Sequence, residues 1–218
     1  MTKSIAFLSG KGGVTKTSLA RALAVAYINA GWAVGIVDQD TGQNSFHKWN
    51  GRRTHFGHTP TIDVRSGSLR DAKHLIDSNT KHLVLVDGAA YGSRDTVEAA
   101  KMVDMIVVSC RFSLDDMESA VETMNRLVLE GVPAEKFCVV FSGVPEQRSP
   151  VNYVNAQAWM AQTPYFICNG FIEQKNSLTD AQNEGLALNE VKFPSVRKRV
   201  DQVMESIATR FHELTAGV

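Results

Sequence analysis

A glycine-rich segment near the amino terminus carries the residues best suited to bind phosphate. The segment spans residues 9–18 and reads SGKGGVTKTS, between a short apolar run and a helix-like run. Glycines let successive backbone N–H groups point at one anion, and the following helix adds the positive end of its dipole. Lys16 would place a charge on the β- and γ-phosphates, and the Thr17 hydroxyl would be a Mg²⁺ ligand. The spacing therefore predicts a nucleotide-binding site.

One position in this segment departs from the general pattern G-x-x-x-x-G-K-[ST]. Gly10 opens the pattern, but Thr15 stands where the second glycine is usual. A β-branched residue tolerates fewer backbone angles than glycine, so either the backbone is ordinary at position 15 or nucleotide affinity is altered. A plain glycine-rich turn is the alternative to a phosphate site. The predicted nucleotide contacts are Gly10, Lys11, Gly12, Gly13, Val14, Thr15, Lys16, Thr17 and Ser18.

Two carboxylates directly follow apolar runs that read as buried strands. Asp38 comes after residues 33–37, and Asp87 comes after residues 83–86. Mg²⁺ prefers hard oxygen ligands and keeps several waters, so Asp38 is a candidate for contact with Mg²⁺-bound water. Asp87 is a candidate for the carboxylate near the ion. Residues 38–45 also read as a solvated turn, because Asp, Thr, Gly and Asn favour turns.

Short apolar strands alternate with amphipathic helices along the chain. The predicted strands are Ser4–Leu8, Ala33–Val37, Thr61–Val64, His82–Val86, Met105–Val108, Phe137–Phe141 and Tyr165–Ile167. The predicted helices are 17–30, 69–79, 114–128, 151–162 and 196–214. This alternation predicts a single doubly wound α/β domain over residues 1–218, in which a mostly parallel sheet carries helices on both faces. Ligands of such sheets bind beyond the carboxyl ends of the strands, where the phosphate loop and both carboxylates fall.

Bulk composition sets limits on the partners. Lysine plus arginine is 23 and aspartate plus glutamate is 23, so a nucleic-acid surface must be a local patch. Cys110, Cys138 and Cys168 form no C-x-x-C pair, which indicates buried thiols in a reducing cytosol. No apolar run approaches the ~20 residues of a membrane span, and no signal peptide is evident. We therefore expect a cytoplasmic protein.

A second lysine in the loop indicates which class of nucleotide-binding protein this is. The run Lys11-Gly12-Gly13-x-x-Lys16-Thr17 resembles the deviant Walker A motif of the ParA/MinD family of ATPases. In that family the early lysine, here Lys11, reaches the phosphates bound by the other subunit of a nucleotide-sandwich dimer. The resemblance implies a P-loop NTPase fold, ATP and Mg²⁺ as cofactors, and ATP hydrolysis in which Lys11, Lys16 and Asp40 act.

The resemblance extends beyond the loop, with departures. Residues 38–45 resemble the family motif D-x-D-P-Q, with Thr41 in place of proline, and Asp40 would orient the attacking water. Asp87 matches the Walker B position, but Ala89 lies where the family often has a proline-rich step. Residues 172–185 resemble the late family motif, in which Lys175 occupies a position that is often basic.

Among family members, ParA-type partition proteins match best. They imply an ATP-dependent homodimer, slow hydrolysis stimulated by a ParB-like adaptor, non-specific DNA binding and nucleoid association. The predicted DNA contacts are Lys175, Lys192, Arg197, Lys198 and Arg199. The C-terminal helix has a conventional apolar stripe, which favours core packing over a MinD-like membrane helix. The cysteine spacing argues against a cluster bound as in nitrogenase-iron-like relatives.

Two other classes of function stay open. One is a metabolic P-loop enzyme acting on a small molecule, against which Lys11 argues. The other is a nucleotide-binding scaffold that hydrolyses little, which the departures at Thr15, Thr41 and Ala89 make plausible.

Overall fold

Seven strands form one central parallel sheet. The computed structural model describes residues 1–8, 15–40, 42, 44–88, 94–145 and 149–216. The strands are β1 (Lys3–Leu8), β2 (Val34–Asp38), β3 (Asp63–Ser66), β4 (Leu83–Asp87), β5 (Met105–Cys110), β6 (Phe137–Pro145) and β7 (Phe166–Gln174). They are ordered β3-β2-β4-β1-β5-β6-β7, and every pairing is parallel. The predicted parallel α/β fold is therefore confirmed.

Eight α-helices are found in the described part of the chain. They are α1 (Lys16–Asn29), α2 (Ser45–His55), α3 (Leu69–Asp77), α4 (Arg94–Met102), α5 (Leu114–Leu129), α6 (Ser149–Met160), α7 (Asn176–Asn183) and α8 (Pro194–Thr215). The described residues also form short 3₁₀ helices at Ala134–Lys136 and Leu188–Glu190. The sequence did not predict α2, α4 or α7. In α7 only Leu178 and Ala181 are buried, so its apolar period is too short to recognise.

The two faces of the sheet are covered by different helices because strand side chains alternate. Ile5 and Phe7 of β1 pack in one core with α1 and α8, whereas Ala6 and Leu8 pack in the other with helices α3–α6. The apolar stripe of α8 is buried in the first core, which confirms the predicted core packing of this helix. Among the described helices, none is long and apolar enough to cross a membrane.

All three cysteines are buried, as predicted. Burial raises the pKa of the Cys110 thiol to about 12, and the negative charge of Asp116 adds to the effect. Cys138 and Cys168 lie on neighbouring strands with their sulfur atoms 3.1 Å apart. These thiols are therefore part of the core and not of an exposed reactive surface.

Candidate functional site

Two carboxylates meet at the carboxyl edge of the sheet. Strands β2 and β4 end side by side, and their register pairs Asp38 with Asp87. Both side chains are almost completely buried, at 0% and 1% exposure. Strand alternation places both residues on the face that carries α1, since Ile36 and Leu85, two positions earlier, pack in the same core as that helix. The predicted convergence at this edge is therefore observed for both carboxylates.

Lys16 is the first residue of α1 and lies against one of these carboxylates. Its Nζ donates to Asp87 Oδ1 at 2.5 Å, with side-chain exposures of 15% and 1%. A charge pair that is largely removed from water stabilises the fold only if its hydrogen bonds are well formed. The contact holds the lysine at the helix N-terminus, where the dipole favours an anion.

Asp38 shapes the turn that follows β2. Its Oδ1 accepts a hydrogen bond from the Asp40 amide at 3.1 Å, and its Oδ2 accepts one from the Phe46 amide at 3.0 Å. Burial raises the pKa of Asp38, and the negative charge of Asp87 raises it further; the amides of Asp40, Phe46 and His47 oppose this shift. The carboxylate thus fixes the backbone around Asp40, the residue predicted to orient water.

Thr15 adopts a left-handed backbone conformation directly before α1. Its φ is 52° and its ψ is 12°, so the alternative of an ordinary backbone at this position is wrong. The Thr15 carbonyl accepts a hydrogen bond from the Leu19 amide at 3.0 Å, which begins the helix. A threonine therefore takes the conformation that glycine supplies in the general pattern, at a cost of about 1–2 kcal/mol.

The rest of the predicted phosphate loop lies outside the described residues. This applies to Gly10, Lys11, Gly12, Gly13 and Val14, and to the departures at Thr41 and Ala89. Their roles stay predictions. Thr17 is half-buried in the first turn of α1, and the Ser18 hydroxyl donates to Gln182 Oε1 at 2.6 Å. The described structure thus engages the Ser18 hydroxyl with α7.

The residues present fit a nucleoside triphosphate with Mg²⁺. The buried Thr15 Oγ1 has no hydrogen-bond partner in the structure as described, although a buried hydroxyl normally has one. It lies beside Lys16, which supplies a cation, and Asp38 and Asp87 supply hard oxygen ligands. Described His, Cys, Asp and Glu side chains form no cluster of three or more that could hold a metal. A Mg²⁺ ion that keeps several waters and binds phosphate oxygens needs no such cluster.

The sequence did not predict two buried arginines on the helices that flank this site. Arg21 lies one turn into α1, and Arg53 lies on α2 with 1% exposure. The Arg53 guanidinium pairs with both carboxylate oxygens of Glu190 at 2.6 and 2.8 Å, and donates to the carbonyls of Thr59, Pro60 and Gly185. Arg21 was detectable, because it is the only charged residue of α1 after Lys16 in a run that is otherwise largely apolar. Arg53 left no such signal, since α2 itself was not predicted.

The predicted DNA contacts fall into two groups. Lys175 and Arg199 both lie within ion-pair distance of the buried Glu173 carboxylate, at 3.4 and 2.6 Å. Arg197 donates twice to the Val191 carbonyl. Lys198 is exposed, and Lys192 is 81% exposed with its amine 3.9 Å from Glu184. The two lysines are therefore the more available cations of this set.

A comparison with protein families decides the class of this site. The family described as the CobQ/CobB/MinD/ParA nucleotide binding domain matches residues 5–189. The chain belongs to this family. The predicted relationship to ParA and MinD ATPases is confirmed, and the matched range spans the phosphate loop and both carboxylates.

Individual relatives of the nucleotide binding domain agree with this assignment. A Guillardia theta protein assigned as the septum site-determining protein MinD is 29% identical over 127 residues, 56% of this chain. That match covers 47% of the relative, so the chain spans about half the length of this protein.

Solved structures show the same fold at low identity. A chain of the MinC:MinD cell division protein complex of Aquifex aeolicus has a TM-score of 0.76 and 16% identity, over 95% of this chain and 96% of that chain. A Borrelia burgdorferi protein assigned to plasmid partition and bound to AMPPNP has a TM-score of 0.73 and 14% identity, over 96% and 100%. The fold is thus that of MinD and of this plasmid-partition protein.

Proposed function

We propose that the chain is a ParA-type ATPase that positions a cargo. ATP with Mg²⁺ promotes a sandwich homodimer, the dimer binds DNA without sequence specificity, and hydrolysis releases it. The cargo is a plasmid, a chromosome or a protein assembly, and an adaptor protein of the ParB kind stimulates the slow turnover. The observation that carries the proposal is the buried Lys16–Asp87 pair beside Asp38 at the N-terminus of α1.

Each residue of the site has a defined role in this proposal. Lys16 and the loop amides would bind the phosphates, and Thr17 would hold Mg²⁺, with Asp38 and Asp87 as the nearby carboxylates. The ion, when bound, neutralises charge on the phosphate oxygens. Asp40 orients the attacking water, a step that depends on positioning more than on covalent chemistry. Lys11 reaches the nucleotide of the other subunit.

The DNA surface is proposed at the start of α8. Arg199 contacts Glu173 near the carboxyl end of β7, whereas the end of the helix lies near Lys3 at the start of β1. The first turns of α8 therefore share the sheet edge with the nucleotide site. Lys192 and Lys198 are exposed there, and dimerisation would double the number of cations. Association with the nucleoid follows from this surface.

A second candidate is positioning of the division site. It is favoured by the sequence match to a MinD protein and by the likeness to a chain from a MinC:MinD complex. In that case a protein partner takes the place of DNA, and the nucleotide chemistry is unchanged.

One binding experiment separates these possibilities. Binding of a labelled DNA duplex is followed with ATP, with ADP and without nucleotide, at two salt concentrations, with the molecular mass recorded in parallel. The partition proposal predicts salt-sensitive DNA binding only with ATP, together with a dimer. A nucleotide-bound dimer that ignores DNA in every state would favour the division-site candidate. A nucleotide-bound monomer would instead favour a metabolic enzyme or a weakly hydrolysing scaffold.

A further inference from the structure

Arg21 joins three helices around the phosphate site. Its guanidinium donates to the Ser45 carbonyl at 2.5 Å and to Gln182 Oε1 at 3.1 Å, and its central carbon lies 5.1 Å from the Trp49 ring centroid. The side chain is 7% exposed. One residue of α1 therefore contacts both the start of α2 and the C-terminal end of α7.

The guanidinium of Arg21 is buried, and no carboxylate among the described residues forms an ion pair with it. Its hydrogen bonds in the described part of the chain go to neutral oxygens, and its Nε is buried without a partner there. Burial lowers the pKa of Arg21 to about 10; the charge of Arg52 also lowers this pKa, whereas the charges of Asp87 and Asp38 partly oppose the shift. Burying a cation among neutral groups costs desolvation free energy. The stability of the fold therefore does not by itself explain an arginine at this position.

Gln182 connects this arginine to the phosphate-binding turn. The same Oε1 accepts from the Ser18 hydroxyl at 2.6 Å and from Arg21. Its backbone carbonyl accepts from Arg52 of α2 at 3.5 Å. Gln182 therefore sets the position of the first turn of α1 and the orientation of the guanidinium together.

The Ser45 contact anchors one end of the turn that contains Asp40. Asp38 holds the same region through the amides of Asp40 and Phe46, and the Asn44 amide donates to the Asp40 carbonyl at 2.7 Å. Arg21 therefore links this turn to the helix that begins with Lys16. A displacement of about 1 Å between such groups can reduce a rate by about 100-fold.

We propose that Arg21, oriented by Gln182, is a positioning residue for ATP hydrolysis that fixes the Asp40 turn against the phosphate-binding end of α1. The inference rests on the proposed ATPase function. It acts through Asp40 and leaves nucleotide binding to Lys16 and the loop.

The test compares turnover with binding in four variants. Phosphate release is measured at saturating Mg-ATP, and the Kd is measured with AMPPNP. Arg21→Met should lower kcat by roughly 10- to 100-fold and change the Kd by less than about threefold. Gln182→Leu should lower kcat in the same direction, whereas Gln182→Glu, which keeps the acceptor, should retain most of it. Arg52→Ala is the matched control, because Arg52 donates to the backbone carbonyl of Gln182 and not to the Oε1 atom that Arg21 contacts.

The outcomes separate this inference from the function on which it rests. Wild-type kcat in folded Arg21→Met, or a Kd that weakens as much as kcat falls, would overturn the positioning role while leaving the ATPase intact. A wild-type chain that binds AMPPNP but never hydrolyses ATP would overturn the ATPase itself and the inference with it. If Arg21→Met does not fold, the two Gln182 variants provide the test. Equal kcat values in Gln182→Leu and Gln182→Glu would refute the positioning role of Arg21.

Discussion

Lys16 Nζ and Asp87 Oδ1 are in direct contact at 2.5 Å, so the lysine expected to bind phosphate is already paired with a buried carboxylate. Asp38 lies opposite Asp87 in the register of the neighbouring strand. The lysine therefore offsets the charge of Asp87 and, at the same time, provides the charge that an incoming phosphate needs. Stability and ligand affinity are coupled through this one side chain.

Lys16→Ala should lower both stability and nucleotide affinity, and a second substitution should separate the two effects. The single variant leaves Asp87 buried without its cation and should be less stable by about 3 kcal/mol. Its nucleotide affinity should fall by roughly 10- to 100-fold, since a charged hydrogen bond is lost. Lys16→Ala with Asp87→Asn should regain stability in urea unfolding but not affinity in titration calorimetry. Recovery of affinity in the double variant would contradict the role of Lys16.

Thr15→Gly should be tolerated or stabilising. Glycine adopts the left-handed conformation of position 15 without the side-chain penalty, and it removes a buried hydroxyl that has no partner among the described residues. After the greater backbone entropy of glycine is subtracted, the gain should be about 1 kcal/mol in urea unfolding. Nucleotide affinity should fall by no more than about tenfold, because the backbone amide is kept and only the hydroxyl available to the ligand is lost. A loss of stability of this size would mean that the hydroxyl has a structural role.

Gly185→Ala should destabilise the fold through two separate causes. Gly185 has a φ of 81°, and an added Cβ would lie 2.6 Å from the Cα of Arg53. Backbone strain and the clash should together cost about 3 kcal/mol, as measured by urea unfolding. Gly131→Ala is the control, since its φ is 93° but nothing lies within 4 Å of the added atom. Equal losses in the two variants would show that close packing against α2 is unimportant.

Much of the fold and part of the site could be predicted from the sequence. Apolar runs that end in Asp38 and Asp87 mark two buried strands, and the loop spacing places Lys16 at a helix start. These patterns involve residues that are close together in the sequence, so they can be detected in a single sequence. The backbone conformation of Thr15 was not predictable in the same way. A threonine in place of the usual glycine is compatible with an ordinary or a left-handed backbone, and the sequence does not distinguish the two.

The supporting contacts could not be predicted, since they join distant parts of the chain. Arg21 and Gln182 are 161 residues apart, and Arg53 and Glu190 are 137 apart. No periodicity links such pairs. Arg21 could be flagged as a charge in an otherwise largely apolar helix, but its partner on the unpredicted α7 could not.

Exposed lysines near the start of α8 should carry the DNA affinity. Lys192→Ala with Lys198→Ala should weaken binding of a labelled duplex and reduce the salt-dependence slope by about four, one for each of the two lysines in each protomer of the dimer. The matched control is Arg70→Ala with Lys73→Ala on α3, which removes the same charge from the opposite face of the sheet. A similar loss of DNA affinity in both double variants would indicate that affinity depends on net charge and not on the surface at the start of α8.

The coupling of ATP hydrolysis to a dimer is best tested by the molecular mass of the wild-type chain and of Asp40→Ala with Mg-ATP, measured by light scattering while phosphate release is followed. We predict that ATP doubles the mass of both proteins, that ADP does not, and that Asp40→Ala stays dimeric for longer with its hydrolysis slowed by at least about tenfold. A chain that stays monomeric at saturating ATP, or an Asp40→Ala variant with normal turnover, would contradict the proposal that this site couples ATP hydrolysis to a dimer.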